Sequence, residues 1–508
     1  MTGDALPKVV RPGLALRFAG SELLGGKQGA VAALLALGVG LYMSLGSANF
    51  CLDDAWIHLA YAKSLRLGDG FAYNPGDHET GFSSPLWAAS IALTPFLFNP
   101  VLAVKVLGAL CHAALAWGGA RLTLLLSAAE TAERNAWIAG GFVAIDPLLA
   151  FAAGSGMEVS LTAALVLWTV CVVLRGSSLP TALALGFACV WARPETLFVL
   201  APFCALTWSR SRSRVAVAAV AGALLALALW MVYCQVVSGH VWPNTYYAKR
   251  HAEPLRGLLY FGLRVVPAQS WAIGLTGFWL VFRAFAKPGP ARALALAWLC
   301  AILAIACSRE IVVGSLFYGT RYFAIFGAIP CVLAASQLRP RLRSAMFGTV
   351  PIFLASALML PQARALQRAQ EEDITAQHTQ PAQYLARELP ADARLAVEGA
   401  GATRFFLPRT MHVIDVVGLN YAAAVHAKTS SERTCSVVHA RPTHVLLPSG
   451  FFEAFERSFV LEPIQTFVDE TSALTVRSSV HRIHAARVLA IQPEVRRMCG
   501  IDPAAWRP

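Results

Sequence analysis

Two adjacent carboxylates, Asp53 and Asp54, are the side chains of this sequence best suited to chemistry. They interrupt the largely apolar segment Phe50–His58, which reads FCLDDAWIH. Keeping charged acids among apolar residues costs free energy, so acids in this setting are candidate functional groups. A carboxylate can act as general base toward a hydroxyl. The alternative is helix capping over 55–65, in which one acid accepts backbone N–H groups; capping accounts for one acid but not for both.

A long polar segment, Arg66–Trp87, follows the acid pair. Its glycines and its Asn-Pro-Gly sequence force tight turns, which suits a binding pocket. The segment carries Asp77, His78 and Glu79 beside the predicted membrane surface. As a metal site the run Asp77-His-Glu79 is poor, because three successive side chains cannot all face one ion.

Composition identifies the class of protein that holds these acids. Of the 508 residues, 56% are hydrophobic and 14% are charged, against roughly 45–50% and about 25% in a soluble domain. The mean hydropathy is +0.55. So little polar surface cannot cover so much apolar volume in water, which excludes a soluble enzyme, a nucleic-acid-binding protein and a disordered chain. The sequence therefore predicts a polytopic α-helical membrane protein.

About eleven apolar stretches are candidate membrane spans, because a span needs about 20 apolar residues. Their cores are Ala30–Leu45, Val101–Ser127, Ala136–Phe151, Val159–Leu174, Thr181–Val190, Leu197–Trp208, Val215–Val237, Trp271–Val281, Ala293–Ala306, Phe323–Ser336 and Ala345–Leu360. The shorter stretch Pro85–Phe98 is closed by prolines and is predicted to be a re-entrant or interfacial helix.

The net charge of +13 predicts the orientation in the membrane. With the N-terminus in the cytoplasm, the inner loops hold sixteen Lys and Arg against four acidic residues, while the outer loops and the tail are nearly neutral. The positive-inside rule favours this orientation over its inverse. Residues 1–361 then form the transmembrane domain, with 47–100 as its first outer loop, and residues 362–508 lie outside the cytoplasm.

The tail, 362–508, is predicted to be a small α/β domain. Its predicted strands are Arg394–Glu398, Met411–Val417, Thr443–Leu447 and Leu474–Arg477, and its predicted helices are Pro381–Glu388 and Phe451–Arg457. Cys435 and Cys499 share this domain, and either a disulfide between them or two free thiols fits the sequence.

Four further polar clusters interrupt the apolar chain, and the predicted topology places all of them on the outer face. The clusters are Gly154–Glu158, Arg193–Glu195, Gly239–Arg250 and Tyr318–Tyr322. Each has a structural alternative: Glu158 suits a helix start, Arg193 and Glu195 can pair with each other, and Lys249 with Arg250 can form a solvated collar. Because they share one face with the acid pair, we expect them to form a cavity together.

The predicted cavity has carboxylates on one side and cations on the other. The carboxylates are Asp53, Asp54 and Glu158, and the cations are Arg193, Lys249 and Arg321. Arg and Lys stabilise phosphate oxygens and a departing phosphate group. Because the outer compartment of a bacterium has no nucleotide pool, a phosphate-bearing substrate that reaches this cavity from the bilayer is expected to be linked to a lipid.

Motifs along the chain resemble those of bacterial GT-C glycosyltransferases, most closely the mycobacterial terminal β-(1→2)-arabinofuranosyltransferases. They lie at Asp53–Trp56, Tyr61–Ala62, Gly70–Gly76 (GFAYNPG), Glu79–Trp87 (ETGFSSPLW), Ser155–Glu158, Arg193–Glu195, Pro243–Lys249 (PNTYYAK), Arg321–Tyr322, Gly399–Gly401 and Asp415–Asn420. The resemblance covers nearly the whole chain. It implies a GT-C fold and an inverting transferase in the bacterial inner membrane. The enzyme would move arabinofuranose or a related pentose from a polyprenyl-phosphate donor to a cell-envelope glycan or glycolipid.

The resemblance also implies roles for individual residues. Asp53 or Asp54 is expected to be the general base, with Lys249, Arg321 and Arg193 at the donor phosphate. The other expected pocket residues are His58, Tyr73, Asn74, Glu79, Trp87, Glu158, Glu195, Asn244, Tyr246, Tyr247 and Tyr322. No metal ligand is predicted, and a divalent cation is the one cofactor left open. The expected partners are the lipid-linked donor, the acceptor and the bilayer.

The sequence departs from the family before Arg321, where many relatives carry Gly-Gly-Asp and Ile311–Thr320 contains no acid. This weakens any transfer of acceptor or metal binding to that loop. A transporter or flippase of polyprenyl-linked or anionic substrates would also place charges in a cavity, but it predicts inverted repeats and little mass outside the membrane. A polysaccharide-binding scaffold would leave Asp53 and Asp54 unexplained.

Overall fold

The structure is a computed structural model that describes residues 26–94, 99–249, 253–269, 289–309, 316–338, 342–469 and 481–502. The predicted span Trp271–Val281, the predicted strand Leu474–Arg477 and Arg250 lie outside these residues. So do residues 311–315 of the loop before Arg321.

Among the described residues between 26 and 388, the regular elements are helices. They are α1 (Lys27–Ser44), α2 (Asp53–Arg66), α3 (Pro85–Leu93), α4 (Pro100–Leu126), α5 (Ala132–Ile145), α6 (Pro147–Gly154), α7 (Val159–Arg175), α8 (Leu179–Ala192), α9 (Leu197–Ser211), α10 (Arg214–Ser238), α11 (Asn244–Ala248), α12 (Pro254–Tyr260), α13 (Val266–Ala268), α14 (Pro290–Ser308), α15 (Leu316–Ala324), α16 (Ala328–Ser336), α17 (Leu342–Ile374) and α18 (Gln380–Glu388). A 3₁₀ turn, Pro194–Thr196, separates α8 from α9.

Within the described residues, five helices are long and apolar enough to cross a membrane, and seven spans result if each bent pair counts as one. The five include α1, α4, α10 and α14, and the fifth runs through 349–388. The bent pairs are α5 with α6 and α15 with α16, while α7 and α8 are shorter apolar helices. The predicted spans in the described residues coincide with helices, although several of these helices are too short or too bent to be single spans by length alone.

Prolines and capping side chains set several helix boundaries. Pro147 lacks an N–H and restricts the residue before it, so α5 ends and α6 begins at this point. Asp146 caps α6 by accepting two backbone N–H groups at 3.0 Å, and the two helices are bent by 53°. Ser84 and Asn99 cap α3 and α4 in the same way, each followed by proline. The break after α5 leaves Glu158 in the turn between α6 and α7.

Glycines allow α8 and α10 to pack at very short distance. A Cβ atom on Gly186 would lie 2.0 Å from the carbonyl oxygen of Ala219, and one on Gly222 would lie 2.0 Å from that of Leu183. Small residues at such contacts let two backbones approach each other, which is a common basis of helix association in membranes. This contact holds α8, the helix that leads into the Arg193–Glu195 turn, against α10.

The last apolar helix continues without a loop into the C-terminal domain. Helix α17 passes through a π-helical turn, Thr375–Thr379, directly into α18. The proposed division after residue 361 therefore falls inside a continuous helix. Asn49, in the connection between α1 and α2, donates to the hydroxyls of Thr375 and Thr379 at 2.8 Å, which ties this connection to the π-helical turn.

The C-terminal domain is a mixed five-stranded sheet with helices. Its strands are β1 (Arg394–Val397), β2 (His412–Asp415), β3 (His444–Pro448), β4 (Phe459–Asp469) and β5 (His481–Ile491), and its helices after α18 are α19 (Ala400–Phe406), α20 (Ala422–Val425), α21 (Ser430–His439), α22 (Ser449–Glu456) and α23 (Pro493–Met498). The strand order is β2-β1-β3-β5-β4. Strand β1 is parallel to β2 and β3, whereas β5 is antiparallel to β3 and β4.

The prediction of a C-terminal α/β domain is confirmed, and three of its predicted strands coincide with β1, β2 and β3. The long β4–β5 pair was not predicted. Cys435 and Cys499 form a disulfide, with 5.2 Å between their Cα atoms, so the disulfide alternative is the one found. The carboxyl ends of the parallel strands β1 and β2 lie next to the segment 47–100, because Ala400 after β1 accepts from Tyr73 and Asn420 after β2 accepts from Tyr61. The loops at such ends commonly form sites.

Candidate active site

Helix α2 begins at Asp53, so both acids lie in its first turn. Neither acid caps its own helix: the N-cap residue is Leu52, and no side chain caps this end. The capping alternative is therefore wrong for α2. The Asp53 carboxylate instead accepts the backbone N–H groups of Gly401 and Ala402 at 2.7 and 2.8 Å. Asp53 thus caps α19, a helix of the C-terminal domain.

The contact between α2 and α19 requires a glycine at position 401. A Cβ atom there would lie 2.2 Å from the backbone oxygen of Asp53 and 2.9 Å from its Oδ1. Contacts this short force the backbone to shift. The Gly399–Gly401 motif is therefore explained by close approach, and it places the start of α19 against the acid pair.

Asp54 forms ion pairs with two cations. Its Oδ2 accepts from Arg321 Nη2 at 2.5 Å and lies 3.3 Å from Lys249 Nζ. Burial raises the pKa of Asp54, but the charges of Lys249 and Arg321 outweigh this effect and hold the pKa well below its usual range. Burial by itself lowers the pKa of Lys249, but the negative charge of Asp54 has a larger effect in the opposite direction. The pKa of Lys249 is therefore raised above its usual value. Asp54 and Lys249 therefore both stay charged at neutral pH.

Arg321 is almost fully buried and has unused hydrogen-bond donors. Its guanidinium lies 4.5 Å from the ring centre of Tyr318 and 5.2 Å from that of Tyr322. Its Nε and Nη1 have no hydrogen-bond partner among the described residues. Buried donors without partners are costly, and here they belong to a residue that lines a cavity. An anion in that cavity could satisfy them.

A cavity of about 220 Å³ contains this cationic group, and we call it the first cavity. Its polar lining includes Asp54, His58, Arg193, Glu195, Tyr246, Lys249, Ser308, Arg309, Arg321 and Tyr322. The remaining lining is mainly apolar and includes Phe82, Leu197, Phe198, Leu227 and Trp242. A cavity lined by both cations and apolar side chains suits a ligand with a phosphate group and a hydrocarbon chain.

Glu158 lies beside this cavity in a buried charge network. Its carboxylate pairs with Arg193 and lies 3.4 Å from His58 Nε2. Arg193 also pairs with Glu195 at 3.3 Å, as the sequence alternative expected, and Glu195 accepts from Arg309 at 2.6 Å. Buried charges are tolerated when they are paired in this way. The network fixes the turns that carry Glu158 and Arg193 next to the donors of the first cavity.

Other predicted pocket residues connect the loops after α2 and α10 to the C-terminal domain. Asn74 bonds both backbone groups of Val413 on β2, at 2.9 and 3.0 Å. Glu79 accepts from the Ala422 N–H at 2.9 Å and from Asn244 at 2.7 Å. Burial raises the pKa of Glu79 to about 7. These residues do not line the first cavity; they hold the domain over it.

Three further predicted residues also lie outside the lining of the first cavity. Tyr73 donates to the carbonyl oxygen of Ala400 at 2.6 Å, next to the Asp53 contact. Trp87 is fully buried and donates to the carbonyl oxygen of Gly156 at 3.0 Å. Tyr247 packs edge-on against His426 of the domain, with 4.4 Å between ring centres. All three fix neighbouring loops in the described structure.

Sequence reasoning missed two charged groups near the site. Arg309 follows α14, and its signal was a cation directly after an apolar stretch on the predicted outer face. Lys105 is fully buried in α4 and pairs with Glu371 of α17 and with Ser47. A lone Lys in an apolar helix indicated a partner, but nothing local identified which one. No group of three or more His, Cys, Asp or Glu side chains in the described part of the chain could hold a metal ion.

The fold is similar to solved structures of ArnT and of an archaeal oligosaccharyltransferase. ArnT from Cupriavidus metallidurans bound to undecaprenyl phosphate matches with a TM-score of 0.58, covering 92% of this chain and 98% of that one at 12% identity. The apo oligosaccharyltransferase of Archaeoglobus fulgidus matches with a TM-score of 0.53, covering 86% and 72% at 11% identity. Archaeoglobus fulgidus AglB with an inhibitory peptide and a dolichol-phosphate matches with 0.51, over the same shares and at the same identity.

Two sequence comparisons complete this picture. Residues 366–485 match the model of a domain of unknown function, DUF8728, which corresponds to the end of α17 and most of the C-terminal domain. No curated protein matches the chain in sequence. At such low identity the structural similarity establishes the fold alone. The chain is a helical membrane-type protein with the GT-C fold and a C-terminal α/β domain, as the sequence predicted.

Proposed function

We propose that this protein is an inverting glycosyltransferase that uses a polyprenyl-phosphate sugar as donor and a hydroxyl group of a cell-envelope glycan or glycolipid as acceptor. The observation that carries the proposal is the group formed by Asp54, Lys249 and Arg321 at one part of a cavity with a largely apolar lining. The fold supports it, because ArnT and AglB, which share the fold, are described with undecaprenyl phosphate and dolichol-phosphate.

The donor phosphate would bind to Arg321 and Lys249. The unpaired Nε and Nη1 of Arg321 supply donors for phosphate oxygens, and bound phosphate would neutralise the charges that now hold Asp54. Arg193 and Arg309 line the same cavity and add positive potential. The apolar lining would receive the polyprenyl chain.

Asp54 would act as the general base. It removes the proton of the acceptor hydroxyl while the hydroxyl oxygen attacks the anomeric carbon. The bond between that carbon and the phosphate oxygen breaks, and polyprenyl phosphate leaves with the electron pair, stabilised by the cations. A single in-line displacement inverts the anomeric configuration. Asp53 would position the C-terminal domain, since both of its oxygens accept backbone N–H groups of α19.

The motif resemblance supports arabinofuranose or a related pentose as the sugar. The charge distribution supports an orientation with the N-terminus in the cytoplasm, the site on the outer face and the C-terminal domain in the periplasm. A divalent cation is not part of the proposal, which uses Arg and Lys for the phosphate.

The test is sugar transfer by purified protein in lipid nanodiscs, with radiolabelled sugars on polyprenyl phosphate. Asp54→Asn should lose about 10²–10⁴-fold in kcat, the usual contribution of a general base, while still binding donor. Asp53→Asn should lose less activity and should make the C-terminal domain more sensitive to protease. Full activity of Asp54→Asn would overturn the assignment of the base. Movement of intact donor across vesicle membranes without transfer would favour a transporter instead.

A further inference from the structure

A second cavity, of about 350 Å³, adjoins the first at Asp54. It lies between the start of α2, the end of α17 with the π-helical turn that follows, and the C-terminal domain. Its polar lining consists of Cys51, Asp53, Asp54, Tyr318, Gln370, Asp373, Gln377, His378, Glu398 and His481. Asp54 is thus the acid that lines both cavities, and a hydroxyl group bound in the second cavity can reach it.

The two cavities differ in charge. Four carboxylates line the second cavity, and the lining given by the described residues contains no Lys or Arg. Four cations line the first cavity, namely Arg193, Lys249, Arg309 and Arg321. The charge of Asp54 itself is paired with Lys249 and Arg321, so the difference depends on the other acids of the second cavity. An anionic group is therefore attracted to one side of Asp54 and repelled from the other.

Glu398 is the acid of the second cavity with the most hydrogen-bonding capacity left. It directly follows β1 and forms no hydrogen bond or ion pair with another described residue. The next residue, Gly399, packs so closely on His378 that a Cβ atom would lie 1.8 Å from the Nδ1 atom, which fixes the position of this turn. A carboxylate accepts hydrogen bonds from hydroxyl groups, and Gln377 and His378 add further polar groups beside it.

We propose that the second cavity selects the acceptor by charge: it binds the uncharged, hydroxyl-rich end of a glycan and rejects ends that carry phosphate or carboxylate groups. This inference rests on the proposed function and names the acceptor class of the same site. Glu398 is assigned as a specificity-determining residue, supplied by the C-terminal domain. Like-charge contact in a partly buried cavity is the means of rejection.

The experiment compares two acceptors that differ only in charge, a neutral oligosaccharide and the same oligosaccharide with a terminal uronate. Purified wild-type protein should use the neutral acceptor with kcat/KM at least about tenfold higher, as expected for one like-charge contact. Glu398→Gln keeps the size of the side chain and should reduce this ratio several-fold, and Glu398→Lys should reduce it further. Glu453→Gln, an exposed acid on α22, is the matched control and should leave the ratio unchanged.

Measuring the release of polyprenyl phosphate from the donor distinguishes a failure of charge selection from a failure of the proposed function. If donor is consumed with both acceptors at equal kcat/KM, or if the ratio is the same in wild type and Glu398→Gln, charge selection is wrong while the proposed function stands. If no polyprenyl-phosphate sugar is consumed with any acceptor, the proposed function fails as well. Acceptor binding, measured by saturation-transfer NMR, should show the same preference for the neutral oligosaccharide and the same reduction in Glu398→Gln.

Discussion

Arg321 shows how one buried side chain can be prepared for an anion. Its guanidinium lies against Tyr318 and Tyr322, one of its nitrogens binds Asp54, and two others remain unpaired among the described residues. Arginine is suited to this position because its planar, forked donors can bind a carboxylate and a phosphate simultaneously. Lysine carries the same charge but has neither the fork nor the flat surface that stacks on a ring.

Arg321→Lys should therefore reduce activity even though the charge is kept. We expect a loss of about 10²-fold in kcat, comparable to removing one preorganised donor from an anion site, together with a higher KM for the donor. Arg256→Lys is the matched control, because Arg256 is half-exposed and does not line the first cavity. Unchanged kcat and KM in Arg321→Lys would show that activity does not depend on the paired donors of the guanidinium group.

The contact made by Glu79 should depend on pH. Burial raises its pKa from 4.5 to about 7 in the folded protein. Between these values the folded state holds a proton that the unfolded state has released, so folding stability falls as pH rises toward 7 and above. The expected change is on the order of 3 kcal/mol.

Thermal unfolding of the C-terminal domain, followed between pH 4.5 and 8, tests this expectation. The wild-type midpoint should decrease with rising pH, and the decrease should be smaller in Glu79→Gln. Part of the slope should remain, because burial also raises the pKa of Asp415 to about 6. A wild-type midpoint that rises over this range would contradict the predicted sign.

At the scale of elements, the contact between α2 and α19 joins the membrane part to the C-terminal domain. Gly401→Ala should disturb it, because the added methyl group would lie 2.2 Å from the backbone oxygen of Asp53. Overpacking of this kind typically costs about 1–3 kcal/mol. It should also displace the acid pair from the cavities, so transfer activity should fall by at least about tenfold.

Gly450→Ala is the control for this substitution. Gly450 lies in α22 with open space around its Cα, so alanine there should leave activity unchanged. Activity and the unfolding midpoint are measured for both variants. Equal behaviour of Gly401→Ala and Gly450→Ala would show that the α2–α19 contact does not control the site.

At the scale of the whole molecule, the proposed orientation places the C-terminal domain outside the cytoplasm. Ser431→Cys lies on an exposed part of α21, and Ser211→Cys lies at the exposed end of α9. A membrane-impermeant maleimide should label the first variant in cells with a permeable outer membrane and the second only after the inner membrane is opened. The unmodified chain, with its native cysteines, gives the background. The opposite labelling pattern would contradict the orientation.

Much of the architecture follows from local composition. Apolar stretches predict the helices because a helix in lipid must be apolar over its whole length, and short β-branched runs predict β1, β2 and β3. The pair β4–β5 was not predicted. Most of β4 is exposed and its pairing with β5 has bulges, so the apolar residues of β4 show no clear alternation. The short and bent helices are broken at prolines and capping side chains. Apolar composition alone would count each such stretch as one uninterrupted span.

The sequence by itself determined that Asp53 and Asp54 are unusual, and that acids and cations gather on one predicted face. Only the tertiary structure decided what each acid does. Successive residues of a helix point about 100° apart, so Asp53 meets α19 of the C-terminal domain while Asp54 meets Lys249 and Arg321. Those partners lie 195 to 348 positions away along the chain. Local sequence shows which side chains need partners, whereas the choice among distant partners is made by the packing of the whole chain.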